Sequence, residues 1–233
     1  MRLLRQQQTV LLALLIGLVG CSSAPPSMQS GPDAQVTKEG LVKIDNSVLD
    51  ISFARPNVDW SQYRTLYFKP ATVTNDHPTD YTQPRIDRRA DGLNATYDLP
   101  DEALKRMSAE FATMVVSVFN EDQPFELVDK AGPDTLVIEV AVTDIRLSAP
   151  IESSRRSYNS MGKTYTQNSG SMMLLAMIKD GQTGEVLAKA ADRAEGFDQW
   201  QLNTQVFNWG DVKTVYRRWV NDFKNALMAA GAN

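Results

Sequence analysis

One histidine, His77, and one cysteine, Cys21, set narrow limits on the chemistry of this chain. A Ser-His or Cys-His relay needs a nucleophile beside an imidazole. Cys21 closes an apolar run at the amino terminus, so any relay would have to run through His77. That residue lies in Asn75-Asp76-His77-Pro78, a turn-like setting in which an exposed loop without a relay partner is expected. An ordinary zinc site draws on several imidazoles or thiolates, and the sequence holds no second histidine or free cysteine for one. Asp76, Asp80, Asp87 and Asp91 lack the spacing of a calcium loop and read as a solvated stretch. The glycines of Asp180-Gly181-Gln182-Thr183-Gly184 fall between two strand-like runs and not between a strand and a helix, which removes a phosphate loop or dinucleotide fingerprint. No catalytic residue, metal or cofactor is expected. A pair of carboxylates acting on a glycan is the one remaining catalytic option, and nothing in the spacing selects two of the 28 acids for it.

Recognition chemistry is better represented. Arg155, Arg156 and Lys163 lie beside Tyr158 and Tyr165 in the polar stretch from Ser148 to Ser169, where charge and aromatic area together suit an acidic partner, a lipid head group or an anionic glycan. Arg85-Ile86-Asp87-Arg88-Arg89 is a second basic cluster, with a solvated face as its simpler reading.

Cys21 has a more specific setting. Arg2 and Arg5 precede an uncharged stretch from Thr9 to Gly20, the layout of a signal peptide. The stretch is about half the 20 apolar residues a membrane span requires. It ends in Leu18-Val19-Gly20-Cys21, which resembles the lipobox of bacterial lipoproteins. That resemblance implies cleavage before Cys21, a diacylglyceryl group on its thiol and a palmitate-type acyl chain on the new amino terminus. Each buried methylene contributes about 0.8 kcal/mol, so several chains anchor firmly where one would be marginal. Ser22 follows Cys21, and the lipoprotein sorting rule for two-membraned bacteria then implies the outer membrane, with the body facing the periplasm.

The elements that would carry these residues can be read from periodicity. Residues 21–39 are expected to form the lipidated cysteine and a flexible tether, since Ser, Ala, Pro, Gln and Gly predominate there, and residues 40–233 a single domain. The stretch 64–69 reads as an edge-like strand because Pro70 cannot donate to a central ladder. Asn75 to Tyr97 is polar and irregular, a long surface loop. Pro100-Asp101-Glu102 opens a helix striped by Leu104, Met107, Phe111, Met114, Val115 and Val118. From Thr135 to Leu147, Leu136, Ile138, Val140 and Val142 share one face of a strand. Met172 to Met177 is apolar at both parities and reads as a central strand whose methionines are core. The turn at Asp180 to Gly184 returns the chain as its hairpin partner, and Asp211 to Ala230 is a second amphipathic helix ended by Gly231. Trp200 and Trp209, ahead of that helix, read as core. The predicted class is α+β, an antiparallel sheet with two main amphipathic helices. A net charge of −4, about −6 once Arg2 and Arg5 are cleaved away, argues against a nucleic-acid partner.

Three segments carry a resemblance: Val58-Asp59-Trp60-Ser61-Gln62-Tyr63-Arg64-Thr65-Leu66-Tyr67-Phe68-Lys69-Pro70, the run from Asp180 to Ala188, and Ala191-Asp192-Arg193. Together they resemble a family of bacterial lipoproteins known only as a domain of unknown function. The resemblance spans about residues 40 to 230 and implies a lipoprotein with a compact α+β domain, with no catalytic residues to carry over. The expected function is a lipid-anchored, non-catalytic interaction module of the cell envelope, meeting the membrane through its anchor and an envelope protein or glycan through its body. The alternatives are a periplasmic module for a small ligand or glycan and, third, a carboxylate-based hydrolase.

Overall fold

A computed structural model describes residues 24–87, 95–122, 125–148, 150–151, 165–166, 170–195, 201–202 and 209–232. In chain order the strands are β1 (Ser27–Met28), β2 (Val42–Asp45), β3 (Ile51–Ala54), β4 (Thr65–Phe68), β5 (Thr72–Val73), β6 (Glu126–Leu127), β7 (Thr135–Leu147), β8 (Tyr165–Thr166), β9 (Gly170–Asp180), β10 (Val186–Glu195) and β11 (Gln201–Leu202). The helices are α1 (Asp101–Asp122), between β5 and β6, and α2 (Trp209–Ala229), after β11. The main sheet runs β1-β2-β3-β10-β9-β7-β4-β6 with β5 also on β7, while β8 and β11 pair with each other.

The α+β class and the two main helices are as the sequence predicts. The sheet is antiparallel from β1 through β7 and turns parallel at its other flank, where β4 pairs with β7 and β6, and β5 with β7. The connection explains the change: α1 carries the chain from β5 to β6, and a helical crossover returns a strand in the same direction. β4 is not a free edge, because β7 lines one side and β6 covers the start of the other. Pro70 falls between β4 and β5. Phe68 faces Ile138 and Thr72 faces Ala141, so this strand line carries one residue more than β7, a bulge that accommodates the missing N–H.

Both helices cover one face of the sheet. The core joins Met107, Phe111, Val115 and Val118 of α1 and Val212, Tyr216, Trp219 and Val220 of α2 to Leu136, Ile138, Val140 and Val142 of β7. Phe68 binds the layers together, with its ring centre 5.8 Å from that of Phe119 and 5.7 Å from that of Phe223. Pro100 O accepts from Ala103 N, opening α1, and Gly231, at φ +88°, closes α2 while Ala232 N returns to Leu227 O. In β9, Met172 and Leu174 enter the core, as predicted. Met173, Leu175 and Met177 point to the other face, where Leu175 is 43 % exposed, so two of the three methionines are not core. Strand alternation sends successive side chains to opposite faces, and only one face has a helix over it among the described residues.

The amino-terminal side is also more ordered than predicted. Ser27 and Met28 pair with Asp45 and Ile44, and Val36 bridges to Val42. Residues 27–45 therefore form the edge of the sheet, where a tether was expected through residue 39. Glutamine and backbone donors hold it: Gln29 Nε2 donates to Asp45 Oδ1 at 2.8 Å, and Gln35 N to Gln29 Oε1 at 2.8 Å.

Candidate functional site

The most concentrated chemistry lies where β7 breaks its own pattern. Core positions run Leu136, Ile138, Val140, Val142 and then Ile145 and Leu147, so the parity flips. Between Thr143 and Arg146 the register against β9 slips by one residue, and Asp144 sits there at φ +47°, a left-handed conformation that Asp and Asn tolerate best.

Asp144 is 1 % exposed and surrounded by donors. Arg146 grips it with two guanidinium bonds, Nε to Oδ1 at 2.9 Å and Nη2 to Oδ2 at 2.8 Å. Arg193 of β10 donates to Oδ2 and also reaches Ser171 Oγ at 3.2 Å. His77 Nδ1 lies 2.7 Å from Oδ1. Burial pushes the Asp144 carboxyl up, but the hydrogen bonds from Arg146, His77 and Arg193 outweigh it and hold the group well below the usual carboxylate range. A permanent carboxylate accepts, so His77 is the donor at Nδ1. The imidazole also stacks on Tyr81 at 4.0 Å between ring centres, and the Arg146 guanidinium lies 4.7 Å from the centre of the same Tyr81 ring. The backbone joins in: Asp144 N and Thr143 Oγ1 both donate to Asp76 O at 2.8 Å.

The expectation of an exposed His77 without a partner is therefore corrected. His77 is half-buried and bonded to a buried carboxylate, in a cluster that ties the loop after β5 to β7 and β10. The signal was in the sequence: Asp144 falls on the core parity of an otherwise apolar strand face, which calls for a bulge and a set of partners.

Cys21, Arg155, Arg156, Tyr158 and Lys163 lie outside the described residues, as do Arg88, Arg89, Asp91 and Trp200. Tyr165 is in β8, opposite Leu202. What is placed are the roots of the segment. Leu147 pairs with Gly170, whose added Cβ would meet Arg146 O at 2.0 Å, and Ile151 is bridged to Thr96. Arg85 is exposed, while Ile86 packs against the core. Trp209 also packs there, with the Arg106 guanidinium 4.0 Å from its ring centre. Among the described residues no three His, Cys, Asp or Glu side chains gather in a metal-binding group.

The three sequence segments that carry the resemblance turn out to hold the fold together. Asp180 Oδ1 accepts from Gln182 N, Thr183 N and Thr183 Oγ1, and its Oδ2 accepts from Tyr63. A Cβ on Gly181 would come within 2.6 Å of two carbonyl oxygens, so the turn admits no side chain there. Asp192 accepts from Trp219 Nε1 at 2.7 Å and from Arg218 at 2.6 Å, fixing α2 to the sheet. Beneath α2 lies a cavity of about 60 Å³ lined by Phe68, Ile138, Val140, Trp219 and Phe223.

This architecture is an α+β one, with both helices on one face of the main sheet and a braced polar cluster at one end of its strands. The chain belongs to the protein family of unknown function DUF3313, whose pattern matches residues 43–223. No curated protein matches it. Among solved structures it is similar to the PelC dodecamer of Paraburkholderia phytofirmans, at 10% identity over 76% of this chain and 94% of that one with a TM-score of 0.38. It is similar too to protein XCC0632 of Xanthomonas campestris, at 10% identity over 76% and 91% with a TM-score of 0.39. Lipoprotein GNA1162 of Neisseria meningitidis matches at 12% identity over 70% and 99%, with a TM-score of 0.24.

Proposed function

We propose that this chain is a lipoprotein held by acylated Cys21 at the outer membrane, facing the periplasm, and that its body is a non-catalytic interaction module. The observation that carries the reading is the Asp144 brace. His77, Arg146 and Arg193 are all engaged on one carboxylate, directly beneath the point where Ser148 to Ser169 leaves the sheet. Through Nδ1, His77 joins the two arginines on this carboxylate and ties the loop after β5 to β7 and β10, which stiffens the platform below that segment. The segment rooted there bears Arg155, Arg156, Tyr158, Lys163 and Tyr165, the charge and aromatic area that suit a partner. The cavity under α2 is lined almost wholly by carbon and brings no convergent polar groups to a ligand, so that cavity is not itself the site of a small-ligand or glycan binder.

Two measurements test this. Cys21→Ser should abolish labelling by a fatty-acid analogue and release the protein from membranes, because acyl burial is the anchor; undiminished labelling would remove the lipoprotein reading. A photo-crosslinking residue at position 158 in intact cells should give discrete adducts with an envelope protein. No adduct at all from a chain of normal abundance would remove the interaction module.

A further inference from the structure

Because β1 is part of the sheet, the leash between anchor and body is short. Cys21 precedes Ser27 by six residues, which span at most about 20 Å when fully extended. The direction of that leash is set by register. β1 runs antiparallel to β2 with Ser27 opposite Asp45, so the chain upstream of Ser27 leaves past Asp45 toward the bend between β2 and β3. Ile51 just beyond the bend pairs with Ala191, Glu195 with Ser171, and Leu147 with Gly170. The bend, the end of β10, the start of β9, the end of β7 and the Asp144 cluster therefore share one pole. The Asp180 to Gly184 turn marks the opposite pole.

β10 continues from the level of Ala191 to Glu195, and β9 from Leu175 back to Gly170, a further rise of about 13–17 Å. The leash leaves from the edge strand β1, three strands outside β10, so a reach of about 20 Å tilts the body until that corner of the sheet, and not the ends of β9 and β10, lies lowest. With its acyl chains in the bilayer, Cys21 cannot let the body stand away from the lipid, and the sheet corner beside the leash, at the bend between β2 and β3, meets the surface. The exposed side chains of the bend suit that place: Val48 is 68 % exposed and Ile51 48 %. Apolar side chains at the boundary between head groups and acyl chains are stabilised by burial.

We propose that the domain leans this corner of the sheet edge on the bilayer surface, with Val48 and Ile51 against the lipid interface and the Asp180 to Gly184 turn directed away from it. The proposal rests on acylation of Cys21.

The test uses full-length acylated protein in vesicles of phosphatidylethanolamine and phosphatidylglycerol doped with a nitroxide head-group lipid. Acylation consumes the one native thiol, so a fluorophore can be placed at Val48→Cys, Ile51→Cys or Gln182→Cys alone. Quenching should be at least several-fold stronger at positions 48 and 51 than at 182. Equally weak quenching at all three, in protein that mass spectrometry shows to be acylated and that floats with the vesicles, would overturn docking while leaving the anchor intact. Protein that carries no acyl group and does not float would remove the anchor, and docking with it.

Discussion

Tyr63 donates its phenolic proton to Asp180 across 2.6 Å, joining two sequence segments 117 residues apart. Tyr63 is fully buried, and burial followed by its bond to Asp180 pushes the phenol up from its ordinary value. The same carboxylate closes the β9–β10 turn, so one side chain fixes both the hairpin and the approach to β4. Tyr63→Phe should cost about 1.5–3 kcal/mol, the worth of a hydrogen bond to a charged acceptor. Asp180→Ala should cost more, since it removes the turn's cap as well. Urea unfolding of the two variants beside wild type measures both, and a Tyr63→Phe protein as stable as wild type would show that the bond contributes nothing.

The hairpin, the long strand from Thr135 to Leu147 and both helices were legible because each repeats an apolar period over ten or more residues. What periodicity could not supply was partnership. The His77 turn reads as solvated because its partner, Asp144, is 67 residues away, and only a bulge brings the acid within reach. The parallel flank was hidden for a related reason: β5 and β6 each span two residues, too short for any pattern. The stretch before Leu41 reads as a tether from its composition, yet Gln29 and Asp45 pin it to the sheet edge.

Asp144 should make stability depend on acid. Its folded value lies below the ordinary 3.8, so the carboxylate stabilises the fold fully above about pH 4, and that contribution is lost as pH falls through 3.8 toward the depressed value. Asp144→Asn keeps the tolerated backbone conformation and removes the charge that two guanidiniums face. It should cost about 3 kcal/mol at pH 7, in the range for a buried pair that loses one partner. The gap between wild type and variant, followed by denaturant unfolding from pH 7 to pH 2, should narrow below pH 4. A gap that stays constant would mean that the charge is not what the arginines need.

His77→Ala should lower stability by about 1–2 kcal/mol, through the lost bond to Asp144 and the lost stack on Tyr81. His77→Gln offers an amide donor to the same carboxylate and should recover part of that loss. Membrane association and partner adducts should persist in both variants at matched abundance. If function disappears in the glutamine variant while the fold holds, His77 does chemistry that the brace does not explain.

Recognition should reside in the segment rooted on that brace. Leu147 opposite Gly170 brackets both ends of Ser148 to Ser169, Ile151 within it bridges to Thr96, and Arg155 and Arg156 follow. Replacing both arginines with Ala should weaken association with the partner and leave stability within about 0.5 kcal/mol of wild type, the effect expected of charges that serve a partner and not the packing. If charge steers the encounter, added salt should weaken wild-type binding and matter less to the variant, since exposed charges are screened over about 8 Å at physiological ionic strength. Crosslinking of wild type and double variant at equal abundance, repeated across a salt series, separates the outcomes. An unchanged adduct profile would exclude these arginines as anchors, whereas a variant that unfolds would assign them to the structure of the platform and not to its partner.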